Sequence, residues 1–452
     1  MDQNLLFGII GVAALIGLIV IRMPIAYAMI IVGGVGISVI SGPMIILSQL
    51  KDLAYGQFSV YDLSVVPMFV LMGAIASRAG LSQDLFRAAN AWFGWMRGGV
   101  AMSAIAACAG FGAVCGSSLA TASTMGQVAL PELRRYNYSG QLATGTLAAG
   151  GVLGILIPPS VVLIIYAIIV EANVVTMFMA AFIPGLMAVG LFIATIAIYV
   201  TVRPDSGPKG EFPGRAEFLE ATVRILPVLG IFTVVIGGIY FGFFNPTPAA
   251  SFGALLVALV GIVRREINLP AMKQALLETA KTTGMIYLIL LGAEMLKIFM
   301  ARGGVPQAMA EWMINVNLAP MTVLILLLAA LIVLGCLMDS LSMILLAIPF
   351  FWPVIVELNG GDAVAAADAA FGMNAEDLKI WFGILALIVV ELGLITPPVG
   401  LNVFIISAMA KDVPMSDTFI GVAPFFAAEM IRVAILIAFP AITLWLPSIL
   451  TG

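Results

Sequence analysis

Leu153-Gly154-Ile155-Leu156-Ile157-Pro158-Pro159 recurs 239 positions later as Leu392-Gly393-Leu394-Ile395-Thr396-Pro397-Pro398. Both copies sit inside long apolar runs. Two adjacent prolines remove two backbone donors and clash with the preceding turn, so a helix must open there. In each copy a glycine, Gly154 or Gly393, stands four residues before the first proline. Opening frees carbonyls upstream and amides downstream. At membrane depth such backbone persists only where protein buries it or where it lines a polar cavity. The freed carbonyls suit a hard cation such as sodium. The half-helix N-termini after Pro159 and Pro398 suit an anion. A plain kink is the competing explanation for one proline pair, and two pairs in register tell against it.

Composition makes membrane depth the right frame. Of 452 residues, 62% are hydrophobic and 10% charged, with mean hydropathy +1.15. Soluble domains carry about 25% charged residues. Apolar runs of roughly 17–25 residues, each long enough to span a bilayer, recur from end to end. The first, Leu5–Ile21, has no basic stretch before it and no small-residue cleavage site after it, so it reads as a span rather than a cleaved signal. Histidine is absent, which removes the commonest general base and metal ligand. Cys108, Cys115 and Cys336 lie in apolar segments without ligand spacing and read as small buried residues. A net charge of −4 gives no footprint for nucleic acid. Enzymatic activity is not expected.

Spans are expected at about Leu5–Ile21, Pro24–Ile40, Leu63–Ser77, Gln141–Val170, Val175–Val200, Leu226–Phe243, Ala249–Val263, Met285–Met300, Ile380–Met409 and Phe419–Leu446. Arg203, Lys209, Arg215 and Arg224 crowd one loop, and Arg264, Arg265, Lys273 and Lys281 another. Both belong on the cytoplasmic side. Counting backwards puts Arg78, Arg87 and Arg97 there, with Arg134 and Arg135. The stretch 99–130 then enters and leaves by one face, as a re-entrant hairpin. Counting forwards, 321–356 is a second hairpin from the opposite face, flanked by Asp362, Asp368, Glu376 and Asp377. The expectation is an all-α polytopic membrane protein of about ten transmembrane helices plus two re-entrant hairpins, both termini outside.

The halves match elsewhere too. Arg78-Ala79-Gly80-Leu81-Ser82-Gln83 parallels Arg302-Gly303-Gly304-Val305-Pro306-Gln307 at an offset of 224, the second half carrying extra sequence around Gly360–Asp377. Amphipathic Ile46–Phe58 corresponds to Ile267–Lys281, and Leu81–Met96 to Val305–Asn315; such segments suit the bilayer interface. The first repeat covers 1–203, with its broken helix at about 141–170. The second covers 222–452, with its broken helix at about 380–409. Five spans per half is an odd number, so the repeats are inverted. Inverted repeats with interrupted helices at matching places point to a secondary transporter and its binding site. A duplicated channel is the competing architecture.

Hydroxyls concentrate at the first hairpin's middle, in Cys115-Gly116-Ser117-Ser118 followed by Thr121, Ser123 and Thr124. Helix packing by small residues competes as their explanation. The second hairpin has Gly335-Cys336-Leu337-Met338-Asp339-Ser340 in the comparable place. An acid at membrane depth is costly and functional by default, which marks Asp339 for an ion- or substrate-linked role; Ser160 and Ser340 are further candidates. Glu294 with Lys297, and Glu429 with Arg432, have the spacing of neutralising helical pairs. Glu391 precedes the second break and has the place to orient it, while Glu171 marks a span end.

GAVCGSSLATASTMGQVALPELRRYNYSGQLATGTLAAGGVLGILIPPS (Gly112 to Ser160) and ELGLITPPVGLNVFIISAMA (Glu391 to Ala410), with Met23-Pro24-Ile25-Ala26 and Val66-Pro67-Met68-Phe69-Val70-Leu71-Met72-Gly73, resemble the large membrane (M) subunit of tripartite ATP-independent periplasmic (TRAP) transporters. The resemblance covers essentially the whole chain. It implies a sodium-driven elevator-type importer of a small organic anion in the bacterial inner (cytoplasmic) membrane. The implied partners are a small four-helix membrane subunit and a periplasmic substrate-binding protein. Sodium is the coupling ion, and no other cofactor is implied. Carried over by position, one sodium site would use Ser117, Ser118, Gly154, Ile157 and Pro159, and the other Gly335, Gly393, Thr396 and Val399. A single-component sodium/carboxylate symporter is the alternative.

Overall fold

With no water to satisfy it inside a bilayer, the backbone of so apolar a chain must bond to itself. It does so as helices. The computed structural model describes residues 3–21, 23–210, 212, 214–309 and 318–450. Among these the β structure amounts to one isolated bridge between Arg97 and Lys209. Seven described helices are long and apolar enough to cross a membrane, or eight when the pair Gly140–Leu156 and Val161–Ile169, bent by 47°, counts as one. A count of ten needs four more decisions. The shorter Gln3–Val20 and Ile25–Ser41 must be added, as must the split pair Ala375–Gly393 and Leu401–Met409, whose first member carries four charged residues. Ser340–Asn359 must be assigned to a hairpin instead.

Close helix packing depends on missing side chains. Ile25–Ser41 lies along Leu269–Gly303, where a Cβ on Gly33 would stand 2.8 Å from the Met295 backbone and one on Gly292 2.9 Å from the Ala26 carbonyl. Small residues of this kind let helix backbones approach within a membrane. Val65–Arg78 packs on both Pro246–Val263 and Leu269–Gly303. Outward faces carry apolar side chains such as Ile198, Leu255 and Val263, which are exposed and suited to lipid.

Two expectations change. Ile267–Lys281 is not a separate interfacial segment, because Leu269–Gly303 runs as one helix of 35 residues. The first half breaks at Ser59-Val60 between Pro43–Phe58 and the turn at Tyr61, whereas Thr282-Thr283-Gly284 offers no comparable stop. The last span also divides, into Met415–Ala438 and Ala441–Leu450, at Phe439-Pro440. Pro440 has no N–H for the helix to use. Of the segment Val305–Asn315, residues 305–309 are helical and the rest lies outside the described residues. The extra sequence after Asn359 forms a compact loop. Buried Asn359 clasps it, donating from Nδ2 to the Met373 carbonyl at 3.0 Å and accepting from the Phe371 amide at 3.1 Å.

Candidate substrate and cation site

Both hairpin tips are built from capping chemistry. In the first, Gly99–Cys115 ends at Gly116, whose φ of +64° is a left-handed conformation that glycine adopts freely. Ser117 then caps Ser118–Arg135, its Oγ accepting from the Ala120 amide at 3.4 Å. In the second, Pro320–Gly335 leads through residues 336–338 to Asp339, which caps Ser340–Asn359. One carboxylate oxygen accepts from the Ser342 amide at 3.2 Å and the other from the Ser342 hydroxyl at 2.6 Å. Asp339 and Ser117 thus hold matching places. Losing the cap through Asp339→Ala should cost about 0.5–2 kcal/mol of stability, and Asp339→Asn distinctly less. A denaturant titration of the purified variants reads the difference.

The two helix breaks are unlike. Residues 157–160 of the first are wholly buried, and Pro158 and Pro159 are joined by a cis peptide bond. Neither proline has an N–H for the carbonyls of Gly154 and Ile155. Among the described residues no hydrogen bond reaches those two oxygens. Pro397 and Pro398, also joined in cis, are exposed. There the Gly393 carbonyl accepts from the Thr396 amide at 3.1 Å and the Leu394 carbonyl from the Asn402 amide at 3.0 Å. Thr396 Oγ1 donates to the Leu392 carbonyl at 2.6 Å.

Each tip docks on the break of its own half through a glycine pair. A Cβ on Gly112 would meet the Cα of Gly154 at 2.5 Å, and one on Gly335 would meet the Cα of Gly393 at 3.1 Å. Gly116 packs on the Pro159 carbonyl, where a Cβ would come within 3.0 Å. Gly154 also faces the Ser117 carbonyl and the Thr121 hydroxyl, and that buried hydroxyl oxygen has no partner. Ser117, Gly154 and Pro159 therefore converge, with Ile157 buried in the same break. Ser118 turns toward Glu391 instead. In the second set Gly335 and Gly393 touch, the Thr396 carbonyl adjoins Gly400, and Val399 is half-buried. Ser160 is fully buried and caps Val161–Ile169 through the Leu163 amide at 3.4 Å.

A cavity of about 880 Å³ opens between the tips and a wall made by Val65–Arg78 and Leu269–Gly303. Ser77, Ser117, Ser123, Thr124, Thr282 and Asp339 are among its polar lining. Arg78 is the basic side chain on its wall, donating to Glu278 at 2.7 Å and to the Ala74 carbonyl at 2.8 Å. Sequence reading used Arg78 to orient the chain and to match the repeat, not as a site residue. It also passed over Asn402, a buried side chain that donates to the Ala148 carbonyl at 3.4 Å and so links one broken helix to the other. Its one signal is a polar residue early in an apolar half-helix. Glu294 and Lys297 do pair, at 3.8 Å, beside a smaller cavity of about 480 Å³ that Asp62 and Glu171 also line. Glu429 and Arg432 pair in full burial.

Residues 12–442 match the family described as "Tripartite ATP-independent periplasmic transporter, DctM component". The chain is 33% identical over 417 residues to the C4-dicarboxylate TRAP transporter large permease protein DctM of Pseudomonas aeruginosa, covering 90% of this chain and 93% of that one. It is 29% identical to the sialic acid TRAP transporter large permease protein SiaM of Vibrio cholerae, covering 97% of each. In fold it resembles the solved YdaH transporter of Alcanivorax borkumensis, with a TM-score of 0.61 over 88% of each chain at 13% identity. With a match across nearly its whole length, the chain belongs to the DctM components of the TRAP transporters, multi-pass proteins of the inner membrane.

Proposed function

We infer that this chain is the large subunit of a sodium-coupled importer of a small carboxylate. The observation that carries the reading is the first break, where a buried hydroxyl and two carbonyl oxygens stand uncommitted beside a polar cavity. Oxygen donors without protons to accept suit a hard cation. Sodium held by backbone oxygens around Ser117 and Ser118, with Gly154, Ile157 and Pro159, would order the first tip and leave the Ser118 hydroxyl on Glu391. Sodium at Gly335, Gly393, Thr396 and Val399 would order the second once the local bonds of the Gly393 and Leu394 carbonyls give way. The anion would then meet the tip hydroxyls, Ser340 and the helix N-terminus capped by Ser160. Asp339, facing the cavity, adds negative charge that favours the cations. Both relatives named above are named for carboxylic acids.

In this reading 1–203 and 222–452 are inverted repeats. The tips and broken helices form a mobile domain that slides past a scaffold of outer helices, in the manner of an elevator. Arg78 and Glu278 line the cavity near the basic loops read as cytoplasmic, and in this reading that end is the exit. Arg78 exchanges Glu278 for the departing carboxylate. Ion binding must favour the substrate-competent state for coupling to work. A small membrane subunit would complete the scaffold, and a periplasmic binding protein would deliver the anion.

The test is uptake of labelled C4-dicarboxylate and sialic acid into liposomes under an inward sodium gradient, with and without the two partner proteins. Sodium-dependent uptake requiring all three components is the expected result. Sodium-driven uptake by this chain alone would favour the single-component symporter. Uptake indifferent to sodium would overturn the coupling. Arg78→Gln should lower uptake about tenfold or more, since a charge-assisted hydrogen bond contributes about 1.5–3 kcal/mol.

A further inference from the structure

We propose that Glu391, Ser118 and Ser340 form an additional sodium seat, one that joins the two hairpin tips. It rests on the reading that sodium drives the cycle. Glu391 lies on Ala375–Gly393, two residues before the end, and is fully buried. Its Oε1 accepts from Ser118 of the first tip at 3.3 Å and also from Ser340 of the second. Both serines are buried, at 1% and 3% exposure. The second oxygen, Oε2, is buried without a partner.

Neither bare form of the side chain suits this geometry. A neutral acid could donate its proton from Oε1 to a serine hydroxyl, but whether protonated or not Oε2 would still be buried without a partner. A lone carboxylate would leave a charge uncompensated in apolar surroundings. No described ion pair includes Glu391, and the buried base Arg432 is taken by Glu429. Asp339 at the second tip adds another negative charge rather than a positive one.

A sodium ion meets both needs. Oε2 becomes a ligand and the charge is balanced. A serine hydroxyl has one proton and two lone pairs, so each serine can donate to Oε1 and still ligate the ion. Hard cations take oxygen donors of this kind. The consequence is mechanical. The two backbone-built sites belong to different halves, and this seat alone draws on both tips. Filling it closes the tips on one another, so sodium binding to one half becomes cooperative with the other.

The experiment is equilibrium binding of radioactive sodium to the full chain in lipid nanodiscs, with thermal unfolding as a fold control. Glu391→Gln keeps the shape and the acceptor for both serines but removes the charge. It should bind one sodium fewer per chain, with a shallower binding curve and an unchanged melting temperature without sodium. The double variant Ser118→Ala with Ser340→Ala keeps the charge, and should weaken the steep phase about tenfold. Glu391→Gln binding the full wild-type complement at unchanged affinity overturns the seat alone. Wild-type protein that binds no sodium overturns the coupling reading together with it. Should Glu391→Gln not fold, the serine variant decides, and unchanged count and affinity there reject the proposal.

Discussion

Transport is expected to fall about a hundredfold when Gly154 becomes alanine, with the protein still folded. The added methyl would strike the Thr121 hydroxyl and come within 2.7 Å of the Ser117 carbonyl. Both belong to the first tip, so relief must come from moving the tip off the break. Overpacking of this kind costs about 1–3 kcal/mol, well inside the roughly 5–15 kcal/mol that keeps a typical domain folded. Function is less forgiving, because displacing a positioned group by about 1 Å commonly loses about a hundredfold. Gly393→Ala should behave alike, since its Cβ would stand 2.5 Å from the Gly335 Cα and 2.9 Å from the Cys336 amide. Gly190→Ala is the control, with nothing within 4 Å of the new methyl. Sodium-gradient uptake and thermal unfolding of all three separate the outcomes. Wild-type uptake by Gly154→Ala would remove the contact between tip and break from the transport cycle.

The sequence displayed the breaks plainly, because a proline pair is a covalent fact with a fixed consequence for a helix. The place of the first tip was legible too: Gly116 and Ser117 turn the chain inside the small and hydroxyl-bearing stretch at the hairpin's middle. The exposure of the breaks was not legible. Two nearly identical motifs end up one buried and one exposed, because burial depends on what packs from elsewhere in the chain. Nor was Asp339 as a cap foreseen, since an acid at membrane depth prompts a search for ions before local hydrogen bonds. Helix continuity failed in both directions. Nothing in Thr282-Thr283-Gly284 stops a helix whose far end is held by packing on Ile25–Ser41, while Pro440 divides a run that hydropathy alone joins. Arg78, Thr121 and Asn402 sit in stretches marked by the repeat, the tip hydroxyls and the second break, none of which says what each side chain faces. The residues they meet lie between 33 and 254 positions away, at Gly154, Glu278 and Ala148, and only the fold introduces them.

Removing either member of the Glu429–Arg432 pair should destabilise the protein by about 3–5 kcal/mol, the usual effect of stranding a buried charge. Both side chains are fully buried. Arg432 donates to Glu429 and, at 2.9 Å, to the Pro184 carbonyl, so the pair pins Met415–Ala438 to Val174–Val202. Arg432→Met leaves Glu429 with no counter-charge, and Glu429→Gln leaves Arg432 with two neutral acceptors, the amide oxygen and the Pro184 carbonyl, and no counter-charge. The satisfaction is already incomplete, for Glu429 Oε1 and Arg432 Nε lack partners. A pair of this kind contributes little net stability over apolar residues of the same volume, because desolvating two charges offsets their attraction. The double variant Glu429→Gln with Arg432→Met should therefore recover most of what either single change loses. A double-mutant cycle in denaturant measures that recovery. Arg432→Lys should sit between, keeping the charge but losing the planar fork that reaches two acceptors at once. Neither residue lines the cavity, so the double variant should also transport within a few-fold of wild type. A double variant as unstable as the singles would instead mean that the bond to the Pro184 carbonyl, rather than mutual neutralisation, is what holds the two helices.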